Sequence, residues 1–324
     1  MHRVMRQKLA LSTLFLLGAC SGGGDFDIAN TRKVELGLSQ VITTANWNAA
    51  NTESIRQAAR ESGIDLRVDD AHRSQENQVA ALRSFVRQRV DVIALSPVVE
   101  SGWETVLREV RSAGIPVILT DRTIEVSDDS LYVSLIGSDF VEEGRRAGRW
   151  LLEHTRDLRD EIDIVELQGT VGSAPANDRK QGFAEIIATD PRYRIIRSQS
   201  GDFSRESAKR VMESFLQAEG RRIRVLFAHS DSMALGAIEA IEAAGFKAGS
   251  DILVISIEGG REGLKAIIAG KLNVSVECNP LLGPQLVAAV KAVAAGQAIP
   301  RRIVTREAVF TAENAAQELA RRKY

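Results

Sequence analysis

From Val34 onward, short apolar runs alternate with amphipathic stretches of helical period, and this alternation restricts the fold more than any other feature of the chain. Residues 34–39, 65–68, 90–95, 116–120 and 131–136 have the length and apolar content of strands. Helical stretches at 48–62, 75–88, 103–113 and 139–154 interleave with them or follow the last; in 75–88, Val79, Leu82, Phe85 and Val86 fall on one face. The rhythm resumes with strands at 163–167, 194–198, 225–228, 252–257 and 273–276 and helices at 179–188, 205–216, 232–244, 260–269 and 282–295. Such alternation predicts an α/β chain of doubly wound parallel sheets. About ten strands exceed one comfortable sheet, so two similar domains are expected.

The N-terminus reads as an address. Arg3, Arg6 and Lys8 precede an apolar run at 9–17, and Leu17-Gly18-Ala19-Cys20 follows. This is the pattern of a secretory signal peptide at 1–19, and the run is too short to span a bilayer. Leu17-Gly18-Ala19-Cys20 also resembles a bacterial lipobox, which makes Cys20 the expected lipidation site and 20–31, with its Ser-Gly-Gly-Gly start, a tether. An ordinary signal peptide with an incidental cysteine is the alternative. With Cys20 lipidated, Cys278 has no disulfide partner and is expected as a small buried hydrophobe.

Composition excludes several functions. Lys and Arg total 42 against 43 Asp and Glu, so no basic excess drives nucleic-acid binding. Gly169-Thr170-Val171-Gly172-Ser173 lacks the lysine of a phosphate loop, His72, His154 and His229 have no metal-ligand spacing, and no Gly-x-Ser-x-Gly elbow occurs. His229-Ser230-Asp231 holds the residue types of a hydrolase triad, but neighbours on a strand point to opposite faces. No metal and no cofactor is expected.

Ligands of open α/β sheets lie beyond the carboxyl ends of the strands. Those ends carry Gln40, Asp70, Ser96, Asp121-Arg122 and Asp139 in the first half, and Gln168, Asp202-Phe203, Ser230-Asp231, Glu258 and Glu277-Cys278 in the second. The set describes a polar cleft. A carboxylate beside a guanidinium, as in Asp121-Arg122, offers acceptors and a fixed fork of donors to a polyhydroxylated ligand; a solvated turn is the other reading. Arg179 either donates into the cleft from a helix start or lies on the surface beside Lys180. Trp47 and Phe203 either cover the C–H face of a ring or pack in the core.

Six motifs, in this order and spacing, carry a resemblance: Gly37-Leu38-Ser39-Gln40, Pro116-Val117-Ile118-Leu119-Thr120-Asp121-Arg122, Arg179-Lys180-Gln181-Gly182-Phe183, Gly201-Asp202-Phe203-Ser204-Arg205, Asp231-Ser232-Met233-Ala234-Leu235-Gly236 and Ile257-Glu258-Gly259. The chain resembles the substrate-binding proteins of bacterial sugar ABC importers, of the ribose/galactose-binding type. The stretches 96–104, 165–172 and 196–203 are similar to its galactofuranose-binding branch. The resemblance implies two lobes joined by three hinge crossings, 32–137 with 280–303 and 138–279 with 304–324, closing on a monosaccharide. It also implies an importer permease as partner, a membrane association through the lipid alone, and a non-enzymatic monomer. Asp121, Arg122 and Arg179 match the family's sugar hydrogen-bonders, and Trp47 and Phe203 its aromatic cover. Ser230 stands where asparagine is usual, Glu258 where aspartate is, Asn48 where the galactofuranose branch has arginine, and Phe140 where an asparagine follows Asp139. Two other readings stay open on sequence alone: the same fold as a sugar or autoinducer sensor for a membrane kinase or chemoreceptor, and an exported glycoside hydrolase.

Overall fold

The computed structural model describes residues 32–44 and 46–324; the signal segment, the tether and Cys20 lie outside them. The first half forms β1 (Glu35–Gln40), α1 (Asn46–Ser62), β2 (Asp65–Asp70), α2 (Gln75–Gln88), β3 (Val92–Leu95), α3 (Glu104–Ser112), β4 (Val117–Thr120) and β5 (Ser134–Gly137). The second continues with α4 (Phe140–His154), β6 (Ile162–Gln168), α5 (Ala174–Ile187), β7 (Tyr193–Ser200), α6 (Arg205–Glu219), β8 (Val225–Ala228), α7 (Asp231–Ala243), β9 (Leu253–Glu258), α8 (Arg261–Ile268) and β10 (Val274–Glu277). The chain then returns as α9 (Gly283–Ala294) and β11 (Arg302–Val304), and crosses once more into β12 (Val309–Thr311) and α10 (Ala315–Arg321).

Two six-stranded sheets result, ordered β11-β5-β4-β3-β1-β2 and β12-β10-β9-β8-β6-β7. All pairings are parallel except β12, which runs antiparallel to β10. The strands β3, β4, β8 and β10 are four-residue runs buried throughout, because helices cover both faces of each sheet. In the first sheet, Leu36, Val92 and Ile118 pack with Ile55 of α1 and Leu286 and Val290 of α9. Ile93, Leu95 and Leu119 pack on the other face with Leu82 of α2 and Leu107 of α3. The second sheet is likewise held between α4 and α5 on one side and α6, α7 and α8 on the other.

Helix starts follow from local chemistry. Ser74, Asp139, Ser204 and Ser230 each accept a bond from the amide three residues on, satisfying a donor that the first turn leaves free. α5 begins at Ala174 rather than near Arg179, because Pro175 suits the first turn and needs no amide partner there. Arg179 therefore sits in the second turn, not at the helix start. α4 and α5 cross tightly: a Cβ on Gly182 would meet the Val141 carbonyl oxygen at 1.9 Å, and one on Gly144 the Arg179 carbonyl oxygen at 2.2 Å. This close approach sets Arg179 against Glu143 of α4.

Three segments cross between the sheets, after β5, after β10 and after β11. The Glu307 carboxylate joins them, accepting from Ser138 Oγ, the Asn279 amide at 3.2 Å and Thr305 Oγ1 at 3.0 Å, one residue from each crossing.

Candidate functional site

Residues just past the carboxyl ends of strands in both sheets line one cleft of about 600 Å³, part of it open to solvent. The first sheet contributes Val41 and Ile42 after β1, Arg73 after β2, and Asp121 and Arg122 after β4. Thr170 after β6, Phe203 after β7, Glu258 at the end of β9 and Cys278 after β10 face them. Trp47 and Asn48 enter from α1, Phe140 from α4, and Pro175 and Arg179 from α5.

Two buried guanidinium groups dominate the interior. Arg122 is 7% exposed and Arg179 3%. Arg122 Nε donates to Asp121 Oδ2 and its Nη1 to the Val98 carbonyl, both at a long 3.3 Å. Burial pushes Arg122 below its ordinary range and Asp121 above its own, with their mutual attraction opposing both shifts. Arg179 is held harder: Nε donates to Glu143 Oε2 at 2.7 Å and Nη1 to the His229 carbonyl at 2.7 Å. Burial pushes the Glu143 carboxyl up to about 8 against the pull of Arg179. Burial also opposes the charge on Arg179, but Glu143 outweighs it and leaves the guanidinium above its ordinary range. These tendencies pull Glu143 in opposite directions. The 2.7 Å contact to a group that does not release its proton favours the carboxylate.

Aromatic rings stand over this charge. The Phe203 ring lies 5.7 Å from the Arg122 guanidinium carbon and 6.0 Å from that of Arg179, and Phe140 lies 5.0 Å from Arg179. Phe203 fits because residue 169 is glycine: a Cβ there would stand 2.0 Å from the ring. Trp47 Nε1 donates to the Cys278 carbonyl at 2.7 Å, so the N-terminal lobe's indole is pinned to the C-terminal lobe. Cys278 is a free, buried thiol, and burial pushes it well above its ordinary range.

The backbone is unusual at the same place. Asp121 (φ 67°), Arg73 (φ 63°), Phe203 (φ 51°) and Glu258 (φ 123°) all adopt the left-handed side of φ that favours glycine. Such conformations persist where surrounding structure fixes them, and they gather at functional sites. Asp231 supplies that fixing near Glu258, accepting from Ser256 Oγ, Ser275 Oγ at 2.7 Å and the Gly260 amide at 2.8 Å.

Of the eleven expected site residues, Trp47, Asn48, Asp121, Arg122, Arg179, Phe203 and Glu258 meet in this cleft. The structure does not bring the other four to its wall. Gln40 is fully buried and donates to Asn51. Asp139 is exposed and caps α4. Ser230 caps α7, accepting from the Met233 amide at 3.3 Å. Glu277 accepts from Arg322, from the Tyr324 hydroxyl and from the Ala308 amide. Each sits at a strand end, as expected, but its side chain turns to the interior or to a cap. Arg73, Thr170 and Ser232 line the cleft and were not anticipated, and Phe140, noted in the sequence only as a departure after Asp139, lines it too. Arg73 lies three residues beyond Asp70, and the rule that flagged Asp70 reaches it only if the loop is counted with the strand end.

A polar cleft between two parallel-sheet lobes, walled by strand ends and closed by contacts across it, defines a two-lobed solute-binding protein. The chain belongs to the periplasmic binding protein domain family, whose model matches residues 37–298. It is 44% identical over 291 residues to the galactofuranose-binding protein YtfQ of Escherichia coli, covering 89% of this chain and 91% of that one. Among solved structures it is similar to a Mycobacterium smegmatis protein in complex with β-D-fucofuranose, at 49% identity and a TM-score of 0.86, covering 89% of this chain and 94% of that one. It is also similar to the arabinose ABC transporter's periplasmic binding component from Shewanella sp. ANA-3, bound to α- and β-L-arabinofuranose. That match has 44% identity and a TM-score of 0.86, and covers 89% and 95% of the two chains.

Proposed function

We propose that this protein captures a sugar in its five-membered furanose form between its two lobes and delivers it to an ABC importer. The observation that carries the reading is the pair of buried guanidinium groups, Arg122 and Arg179, set with Asp121 beneath the Phe203 ring in an interlobe cleft. Guanidinium forks donate to ring and hydroxyl oxygens, and the Asp121 carboxylate accepts from hydroxyls. Among the described residues Asn48 Oδ1 is buried without a partner, and a ligand hydroxyl is the donor it lacks. Phe203, Phe140 and Trp47 cover the C–H faces and keep water from these bonds. The three relatives described above are named for, or hold, galactofuranose, fucofuranose and arabinofuranose, which supports a furanose over a pyranose.

On this reading the lobes that close are 32–137 with 280–303 and 138–279 with 304–324, pivoting where Glu307 joins the three crossings. Asp121 and Arg122 hold the sugar from one lobe, and Arg179, Phe203 and Glu258 from the other. Ser230 acts through the start of α7 rather than by contact. The protein needs no catalytic group, metal or cofactor for this work. Among the described residues no helix is long and apolar enough to cross a membrane. Attachment through lipid on Cys20 then leaves the lobes free to meet a permease. Titration calorimetry against methyl furanosides and pyranosides of galactose, fucose and arabinose tests the proposal. Saturable binding of at least one furanoside, tighter than its pyranoside, is expected. Binding of no furanoside overturns it.

A further inference from the structure

Trp47, Ser232 and Glu258 line more than the sugar cleft. They also border a second chamber of about 890 Å³, partly open to solvent and walled by Ala49 of α1, Leu235 of α7, Arg261 and Glu262 at the start of α8, and Tyr324. Both lobes build it, as both build the cleft. Its character differs: the cleft is lined by guanidinium and carboxylate groups, the chamber largely by carbon. The Tyr324 hydroxyl is already used, donating to Glu277 Oε1 at 2.9 Å, and the Tyr324 carbonyl accepts from the Arg261 amide at 2.9 Å.

Trp47, Ser232 and Glu258 form the boundary that the two spaces share. Trp47 is held by its bond to the Cys278 carbonyl, so the indole is a fixed partition. Glu258, on the same boundary, is held at φ 123°, a conformation that residues other than glycine rarely adopt. Gly260 and Asp231 anchor the turn that follows, through a 2.8 Å bond.

We propose that the chamber is a second subsite and that the ligand is a furanoside. Its polyhydroxylated ring sits under Phe203, and a ring-sized, less polar substituent on the anomeric oxygen passes between Trp47 and Glu258 to lie against Ala49, Leu235 and Tyr324. The inference rests on the furanose reading given above. It is tested by titrating methyl β-D-galactofuranoside and phenyl β-D-galactofuranoside into the protein and into two chamber-filling variants, Ala49→Phe and Leu235→Phe, one from each lobe. Burial of the phenyl ring is expected to tighten binding about tenfold over the methyl glycoside. Either variant should weaken the phenyl glycoside about tenfold and leave the methyl glycoside within about twofold. Thermal melts show whether each variant folds, and either one suffices. Exclusion of the phenyl glycoside while the methyl one binds overturns the subsite alone. Equal affinities untouched by the variants, or equal losses for both ligands, also overturn it. Failure of both glycosides in the unaltered protein overturns the furanose reading, and the subsite with it.

Discussion

Arg122 and Arg179 look alike in the sequence and differ in what their loss removes. Among the described residues Arg122 makes only long hydrogen bonds, so Arg122→Ala is expected to act on the ligand. Loss of charge-assisted bonds worth about 1.5–3 kcal/mol weakens sugar affinity by about tenfold to a hundredfold in titration calorimetry, with a smaller change in melting temperature. Arg179→Ala leaves Glu143 and the His229 carbonyl without their partner. It is expected to cost about 3–5 kcal/mol of folding stability as well as binding. Ser230 separates contact from support. Ser230→Ala removes a helix cap and should lower stability by about 1 kcal/mol in chemical denaturation while the sugar Kd stays unchanged. A tenfold loss of affinity in Ser230→Ala would place its hydroxyl on the ligand. The candidate site was legible where charge and aromatic character stood directly after a strand, as at Asp121-Arg122 and Asp202-Phe203. It was not legible where side-chain direction decided the outcome. Gln40 and Glu277 occupy strand ends too, but their partners, Asn51 and Arg322, lie 11 and 45 residues away, and only the fold brings them together. The left-handed backbone at Arg73 and Glu258 leaves no mark in residue type, since neither is glycine or asparagine.

α5 illustrates how an element tunes the cleft. Asp178 stands one residue before Arg179, and burial, then the like charges of Glu100 and Asp139, push its carboxyl up to about 6. A carboxyl whose proton is held more tightly in the folded state contributes stability below its ordinary value of 3.8, and that contribution is lost as pH rises through about 6. Asp178→Asn should therefore raise the melting temperature near neutral pH, with the gain vanishing toward about pH 4. A gain independent of pH would contradict this. The loops after β2 and β7 form a second device. Arg73 Nη1 donates to the Asp202 carbonyl at 3.0 Å and lies 3.7 Å from its carboxylate, while Thr170 Oγ1 donates to Asp202 Oδ1 at 2.6 Å. A partly exposed pair of this kind is worth about 0.5–1 kcal/mol, so Arg73→Ala should speed sugar release about two- to fivefold in stopped-flow, with little change in association. Strands and helices were largely legible because apolar period reports burial directly. The start of α5 was not, since Ser173-Ala174-Pro175 reads as the end of a loop until Pro175 is placed in the first turn. The three-residue edge strands β11 and β12 are too short to carry a period at all.

At the scale of the molecule, the strand ends of the two sheets face each other across the cleft, and among the described residues few direct bonds join them. They include the Glu100 amide to the Gly172 carbonyl at 2.9 Å, Asn177 to Glu100, Arg73 to Asp202 and Trp47 to the Cys278 carbonyl. On the proposed reading, the ligand's own bonds decide whether the closed form persists. Each sheet has separate cores on its two faces, and the Glu307 carboxylate joins the three crossings; on the proposed reading the lobes close as bodies about that point. Hydrogen–deuterium exchange with and without saturating methyl β-D-galactofuranoside is the direct measurement of capture between the lobes. Closure predicts that peptides around 117–122 in one lobe and around 174–183 and 201–204 in the other gain protection together, at the same sugar concentration. Protection confined to one lobe, or absent from both, would contradict it.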